Sequence, residues 1–356
     1  MKQISISEGE AGQRLDKLLA RYMKDAPKSF FYKMLRKKNI TLNGKKAEGK
    51  ELLKPGDEVK LFLSDETWEK FGGISLESRS LKAFTDLTSP HQSVISNQVQ
   101  QIPEESERKM PTLVKGIQPP KVLYQDAHIL LIDKPAGMLS QKSAASDVSL
   151  VEYLNAYLLQ SGTMTREELQ LVHPAICNRL DRNTSGLVVA GISLAGLQTM
   201  NRLLASRTAR KYYRCIVCGM MQGSGRLHGY LTKDEQTNTA TVSSEPTNGA
   251  RVIETGYEVL SSNGKYSLLE VHLITGRSHQ IRAHLASIGH PILGDPKYGD
   301  AAQNRKAQRS YGVHSQLLHA YRLELPDIED PLSCLSGKSF YAPVPEIFEI
   351  IMLQRD

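Results

Sequence analysis

The sequence predicts an α+β protein, with a small basic module at the N-terminus and a larger body in which strands outnumber helices. Three observations carry this. At 356 residues the chain exceeds what one hydrophobic core usually organises, so two domains and a connection are expected. Its charge is lopsided: residues 1–63 hold 15 Lys+Arg against 8 Asp+Glu, the chain's whole excess of +7, and positions 64–356 balance at 30 against 30. Beyond residue 121, strand-like runs do not alternate regularly with helical ones, which separates this body from a doubly wound parallel sheet.

In the basic module, 1–63, Leu15, Leu18, Leu19 and Tyr22 fall at i, i+3, i+4 and i+7, one apolar stripe of a helix that Pro27 ends. Ser29 can begin a second helix whose apolar side is Phe30, Phe31, Met34 and Leu35, while Lys33, Arg36, Lys37 and Lys38 face elsewhere. Ile40–Leu42 reads as a strand, Asn43-Gly44 as a hairpin signal, and Pro55-Gly56-Asp57 leads into a strand at Val59–Phe62. Such clustered cations are either a solvated surface or the footprint of a polyanion, and charge alone leaves the two even. Residues 64–120, rich in Ser, Gln, Glu and Pro without sustained period, read as a partly disordered linker anchored at its start by Trp68 and Phe71.

From Lys121 to the end the composition is globular. Ile129–Ile132 and Leu187–Ala190 read as buried strands, Leu197, Met200 and Leu204 as a helix, and Tyr212–Val217, Ala240–Val242 and Leu268–Ile274 as further strands. Three segments can carry chemistry. Asn178-Arg179-Leu180-Asp181-Arg182-Asn183-Thr184-Ser185-Gly186 is a charged turn feeding a core strand, with Arg179 and Arg182 able to hold Asp181 ionised. On spacing alone, a structural Asp that caps the turn remains the better reading of Asp181. In TGRSHQIRAHLASIG a helix begins near Ser278, with Ile281, Leu285 and Ile288 toward the core, Arg282 and His279 off that stripe, and Gly289 as a stop. His279 and His284 lack the spacing and the carboxylate of a zinc site, so no metal is expected. In KYYRCIVCG, strand alternation puts Tyr213, Cys215 and Val217 on one face and Tyr212, Arg214 and Ile216 on the other, and Cys215 and Cys218 read as apolar strand residues.

Together these segments resemble the RluA family of pseudouridine synthases. HPAICNRLDRNTSGLVV is similar to that family's HRLDxxTSGL signature, VLYQDAHILLIDKPAGM to its opening strand, KYYRCIVCG to its tyrosine strand, and TGRSHQIRAHLASIGHPILGDPKYGD to its arginine helix and following loop. GQRLDKLL, KNITLNGKK and LKPGDEVKL likewise resemble the S4 (αL) RNA-binding fold. The resemblance implies a catalytic domain on a mixed, mainly antiparallel sheet with flanking helices. It implies that Asp181 is the catalytic aspartate, that Tyr213 stacks on the target uracil, that Arg282 pairs with the aspartate, and that Arg179 and Arg182 lie beside the RNA backbone. The chain departs from the pattern at Asn178, where the family often has His. An S4 module ahead of this domain is the arrangement of members that modify large-subunit ribosomal RNA, so 23S rRNA is the expected partner, held in part by Lys33, Arg36, Lys37 and Lys38.

Pseudouridine formation breaks the uridine C1′–N1 bond, turns the base and joins C1′ to C5. With no redox change and no leaving group to activate by phosphate, a positioned carboxylate is the central requirement and no cofactor is expected. The rival class is a non-catalytic RNA-binding or ribosome-assembly protein with a degenerate synthase domain, against which Asp181, Tyr213 and Arg282 together argue. No run reaches the ~18 apolar residues of a membrane span, the N-terminus has no export-type apolar region, and four cysteines are too few for a disulfide framework. A cytoplasmic monomer is the default expectation.

Overall fold

The computed structural model describes residues 2–7, 10–72, 119–144 and 146–354. The expected linker falls largely on 73–118, outside the described residues. The chain divides into two compact units: Met1–Pro111 with Tyr153–Ala175 and Gly191–Leu197, and Thr112–Glu152 with Ile176–Ala190 and Gln198–Asp356.

The first unit contains β1 (Lys2–Ser5), α1 (Leu15–Tyr22), α2 (Lys28–Arg36), β2 (Ile40–Leu42), β3 (Lys45–Lys46), β4 (Glu58–Leu61) and α3 (Asp65–Lys70). The α1 stripe is buried as its period requires: Leu15, Leu18, Leu19 and Tyr22 pack with Phe31 and Leu35 of α2 and with Ile40, Val59 and Leu61 of the sheet. Phe30 and Met34 are only partly buried. The strands run in the order β1-β4-β2-β3. Asn43 and Gly44 both take positive φ, 50° and 71°, the pairing that a two-residue hairpin turn between β2 and β3 requires. β1 goes beyond the sequence reading: KQIS is too short to announce itself and becomes a strand by pairing with β4, Ile4 opposite Val59. Trp68 of α3 is buried in this core, and the Phe71 ring lies 4.6 Å from that of Phe30. Later segments join the unit: most of α4 (Leu150–Gln160), and α5 (Arg166–Val172), which a Thr165–Glu168 capping box begins and whose Leu171 enters the same core.

The second unit is organised by an 11-stranded sheet. Its strands are β5 (Lys121–Gln125), β6 (Ile129–Lys134), β7 (Ala175–Ile176), β8 (Ser185–Gly191), β9 (Arg210–Cys218), β10 (Ser224–Asp234), β11 (Thr239–Ser243), β12 (Arg251–Ser262), β13 (Tyr266–Leu273), β14 (Leu318–Glu324) and β15 (Ser339–Tyr341). The helices are α6 (Leu194–Ala205), α7 (Gln280–Ser287), α8 (Ala301–Tyr311) and α9 (Glu346–Leu353). The order is β11-β10-β12-β13-β9-β14-β8-β6-β5, with β15 beside β14 and β7 beside β8. Pairing is antiparallel at β10–β11, β10–β12, β12–β13, β13–β9 and β9–β14 and parallel at β14–β8, so the sheet is mixed and mostly antiparallel. One row crosses its centre: Tyr213 of β9 is opposite Ala320 of β14, which is opposite Gly186 of β8. At that row Gly186 is at φ 107°, and a Cβ there would sit 2.2 Å from the Ala320 carbonyl oxygen, so only glycine lets β8 approach β14. The long strands β10 and β12 escaped the sequence reading because their residues are mostly half-exposed or exposed and lack an apolar run. Among the described residues no helix is long and apolar enough to cross a membrane.

Helix α7 corrects one expectation. It begins at Gln280 and is buried nearly all round: Gln280, Ile281, Arg282, Ala283, His284 and Leu285 are all buried, while Ile288, expected in the core, is 39% exposed. The polar members are tolerated inside because each is hydrogen-bonded. Gln280 donates to the Glu254 carbonyl and Thr255 Oγ1, and His284 Nδ1 lies 3.0 Å from Thr255 Oγ1.

Candidate active site

A cleft of about 690 Å³ opens in the second unit, lined by the loop between β7 and β8, by β9 and by the start of α7. The three residues singled out for chemistry all line it: Asp181, Tyr213 and Arg282. Arg179 and Arg182 are there too, both exposed. Among the lining residues eight are Lys or Arg and one, Asp181, is acidic. The lining thus makes a strongly positive hollow around a single carboxylate.

The carboxylate is fixed from both sides of its loop. Leu180 donates its N–H to Ser140 Oγ at 3.0 Å and accepts from that hydroxyl at 2.7 Å. The Asp181 carbonyl accepts the Thr184 N–H at 3.1 Å, closing the turn. Lys134, fully buried at the end of β6, donates to the carbonyls of Pro135, Met138 and Arg182 at 3.0, 2.9 and 3.1 Å, stapling the Lys134–Gly137 turn to the Asp181 loop. Burial pushes this ammonium down to about 7, with Asp181 and Asp133 acting against the shift. Three carbonyls match its three donors. Asn178, the departure from the family pattern, also holds the frame: its amide donates to the Leu187 carbonyl at 3.2 Å and accepts the Val189 N–H at 2.8 Å.

Arg282 faces the carboxylate from α7. Its Nη1 donates to Asp181 Oδ2 at 2.8 Å, while Nε and Nη2 donate to the two oxygens of Asp295 at 2.6 and 2.8 Å. This fork-to-fork pair fixes the guanidinium plane. Burial opposes the charge on Arg282, but Asp295 and Asp181 outweigh it and hold the guanidinium above its usual range. Burial likewise works to raise Asp295, yet Arg282 and the N–H groups of Lys297 and Tyr298 keep it below the usual carboxylate range. Asp295, with no solvent exposure, therefore stays an anion and orients the arginine.

Tyr213 lies 6% exposed on the cleft side of β9. Burial, reinforced by negative Asp181, pushes its phenol far above its ordinary value. Tyr212, on the opposite face, stacks on His272 at 4.7 Å with the Arg322 guanidinium 3.9 Å over its ring. The two tyrosines lie on opposite faces of β9, as strand alternation requires, with Tyr213 on the cleft side. Asp295, Tyr298 and Lys134 have no role that the sequence alone reveals. The signal is present in GDPKYGD and DKPAG, but a linear reading does not say which polar residues fold inward. Lys33, Arg36, Lys37 and Lys38 belong to the first unit, exposed at the C-terminal end of α2 and just beyond it.

Known proteins resemble this chain along most of its length. A family model described as RNA pseudouridylate synthase matches residues 128–287, and the S4 domain model matches 13–59. "Ribosomal large subunit pseudouridine synthase C" of Vibrio vulnificus (strain CMCP6) is 27% identical over 332 residues, covering 92% of this chain and 90% of the relative. The protein of the same name from Escherichia coli (strain K12) is 28% identical over 331 residues, covering 91% and 88%. Among solved structures, human RNA Pseudouridylate Synthase Domain Containing 4 matches with a TM-score of 0.51 at 24% identity, covering 64% of this chain and 90% of that one, a likeness of fold.

Proposed function

We propose that this chain, whose residues 128–287 match the RNA pseudouridylate synthase family model and 13–59 the S4 domain model, converts uridines of 23S ribosomal RNA to pseudouridine with Asp181 as the catalytic carboxylate. The observation that carries the reading is the lone carboxylate of an otherwise cationic cleft, paired with an arginine that a second carboxylate orients. The ribosomal substrate rests on the names of the relatives. In this reading residues 1–63 grip RNA, 121–356 catalyse, and the protein acts in the cytoplasm as a monomer.

The target uridine leaves its stack, at a cost of a few kcal/mol that is least in loops, and enters the cleft. Tyr213 offers its ring face to the uracil. Its raised phenol stays protonated, which favours stacking over a role as proton acceptor from C5. Asp181, ionised beside Arg282, supplies the anionic group at the sugar or base. The C1′–N1 bond breaks, the base turns, C1′ joins C5, the C5 proton is released to solvent and N1 takes up a proton, so that the product is an isomer of the substrate. Arg179 and Arg182 at the cleft and the α2 cations on the first unit contact phosphates.

The test is release of tritium from ribosomal RNA labelled at uridine C5. The wild-type protein should release it and Asp181→Asn should not. Release that persists in Asp181→Asn would refute the assignment of the aspartate, and no release by the wild type would refute the activity.

A further inference from the structure

We propose that Tyr298 is a positioning residue that holds His279 in its Nε2–H form and so makes His279 a second donor to Asp181. The proposal deepens the reading of Asp181 given above and rests on it.

His279 stands at the start of α7 with φ 57°, a left-handed conformation that costs a non-glycine residue energy and collects at functional sites. Its side chain is 10% exposed and is contacted at both ring nitrogens. Nδ1 lies 2.9 Å from the Tyr298 hydroxyl, and Nε2 lies 3.9 Å from Asp181 Oδ2, the oxygen that Arg282 also holds. The Tyr298 oxygen already accepts the Ala240 N–H at 2.7 Å. Its own proton needs an acceptor, and among the described residues Nδ1 is the one within reach. The proton of the neutral imidazole therefore sits on Nε2, facing the carboxylate. With its Nδ1 lone pair taken by Tyr298, His279 faces Asp181 as a donor and not as a base.

Tyr298 braces more than the histidine. Its ring lies 5.7 Å from the His279 ring, edge-on, and 5.1 Å from the Arg282 guanidinium carbon. Its N–H is bonded to Asp295 Oδ1 at 3.1 Å. Both groups that face Asp181 thus lean on one tyrosine, which Asp295 anchors. Burial lowers the His279 imidazole from its ordinary value, with Arg282 and Lys297 adding to the shift and Asp181 and Asp295 pulling the other way. At 3.9 Å the two atoms are not yet hydrogen-bonded; a turn of the Asp181 carboxylate, whose side chain is 27% exposed, would bring an oxygen within reach.

The test compares His279→Asn, Tyr298→Phe and the double variant, using kcat and KM for tritium release from C5-labelled ribosomal RNA and thermal unfolding. Asn tolerates the left-handed backbone but stops short of the Nε2 position. His279→Asn should lower kcat about tenfold with KM within about twofold, as expected for a lost bond to a charged group. Tyr298→Phe should lower kcat by less, again with KM little changed, and the double variant should be no worse than His279→Asn, since the lost hydroxyl acts through the histidine while the Phe ring still lies beside Arg282. Unchanged kcat in His279→Asn, a loss carried by KM alone, losses that multiply in the double variant, or a fall in kcat that only tracks a fall in melting temperature would each overturn the proposal. A wild type without tritium release indicts the functional reading instead. An active wild type and an inert Asp181→Asn beside a normal His279→Asn indict this proposal alone.

Discussion

At the end of α2, Lys33, Arg36, Lys37 and Lys38 stand exposed and without an ion pair among the described residues, whereas in the cleft Arg282 is 4% exposed and gripped between Asp181 and Asp295. Exposed cations are screened by salt, worth little singly, and gain affinity for RNA by releasing counterions whatever the sequence. A buried arginine loses its hydration, and only tight carboxylate geometry offsets that loss. The first arrangement suits grip that tolerates many sequences. The second fixes one carboxylate in one place, at a cost to stability. Charge counting finds the first and misses the second, because the neutral total of residues 64–356 conceals a cleft lined by eight cations and one anion.

The contrast predicts opposite responses to mutation. Arg282→Met should have the largest effect, since it strands the fully buried Asp295 carboxylate and frees Asp181. Unfolding free energy should fall by about 3–5 kcal/mol, and tritium release should drop on the order of a thousandfold at a temperature where the variant is folded. Calorimetry showing wild-type stability would break the buried half of the comparison. Gly186→Ala changes no charge yet forces a side chain against the Ala320 carbonyl from a positive-φ position, and should cost about 3 kcal/mol in urea denaturation. A neutral result there would mean that β8 and β14 can separate without harm.

Acid should act on the same unit. His319, 1% exposed on β14 with Nδ1 2.9 Å from Ser185 Oγ, is pushed by burial down to about 4. Below about 6.5 the unfolded chain binds a proton that the folded chain refuses until about 4. The neutral buried ring therefore contributes stability that is intact above pH 6.5 and declines as pH falls toward 4, by on the order of 3 kcal/mol at most. His319→Gln should flatten that part of the stability–pH curve, and an unchanged slope would remove His319 from the account. The smallest effect on stability belongs to the exposed cations. Replacing Lys33, Arg36, Lys37 and Lys38 with Gln should shift unfolding by less than about 0.5 kcal/mol. RNA affinity should nevertheless weaken, and the slope of log affinity against log salt should shrink by about 0.7–0.9 for each phosphate that the module no longer neutralises. An unchanged slope would deny the module its proposed role.

What could be read from the sequence follows the same division. The stripe of α1, the Asn43-Gly44 turn and the placing of Tyr212 and Tyr213 on opposite faces of β9 were legible because period and turn chemistry are local. Strands β1, β10 and β12 were not, since their pairing partners, not their own residues, make them strands. Helix α7 misled because a buried helix has no polar face to reveal: Gln280, Arg282 and His284 look solvent-facing until Glu254, Thr255 and Asp295 are brought to them. Asp181 was visible by resemblance, while its support from Lys134, Asp295 and Tyr298 appears only once the turns that bear them converge.

The most direct measurement is the single-turnover rate of pseudouridine formation at saturating ribosomal RNA, for Asp181→Asn and for the four-cation variant beside wild type. Saturation removes binding from the comparison and leaves the step inside the cleft. The account predicts no formation by Asp181→Asn and a wild-type rate for the variant lacking Lys33, Arg36, Lys37 and Lys38. Formation by Asp181→Asn, or a slow step at saturation in the four-cation variant, would contradict it.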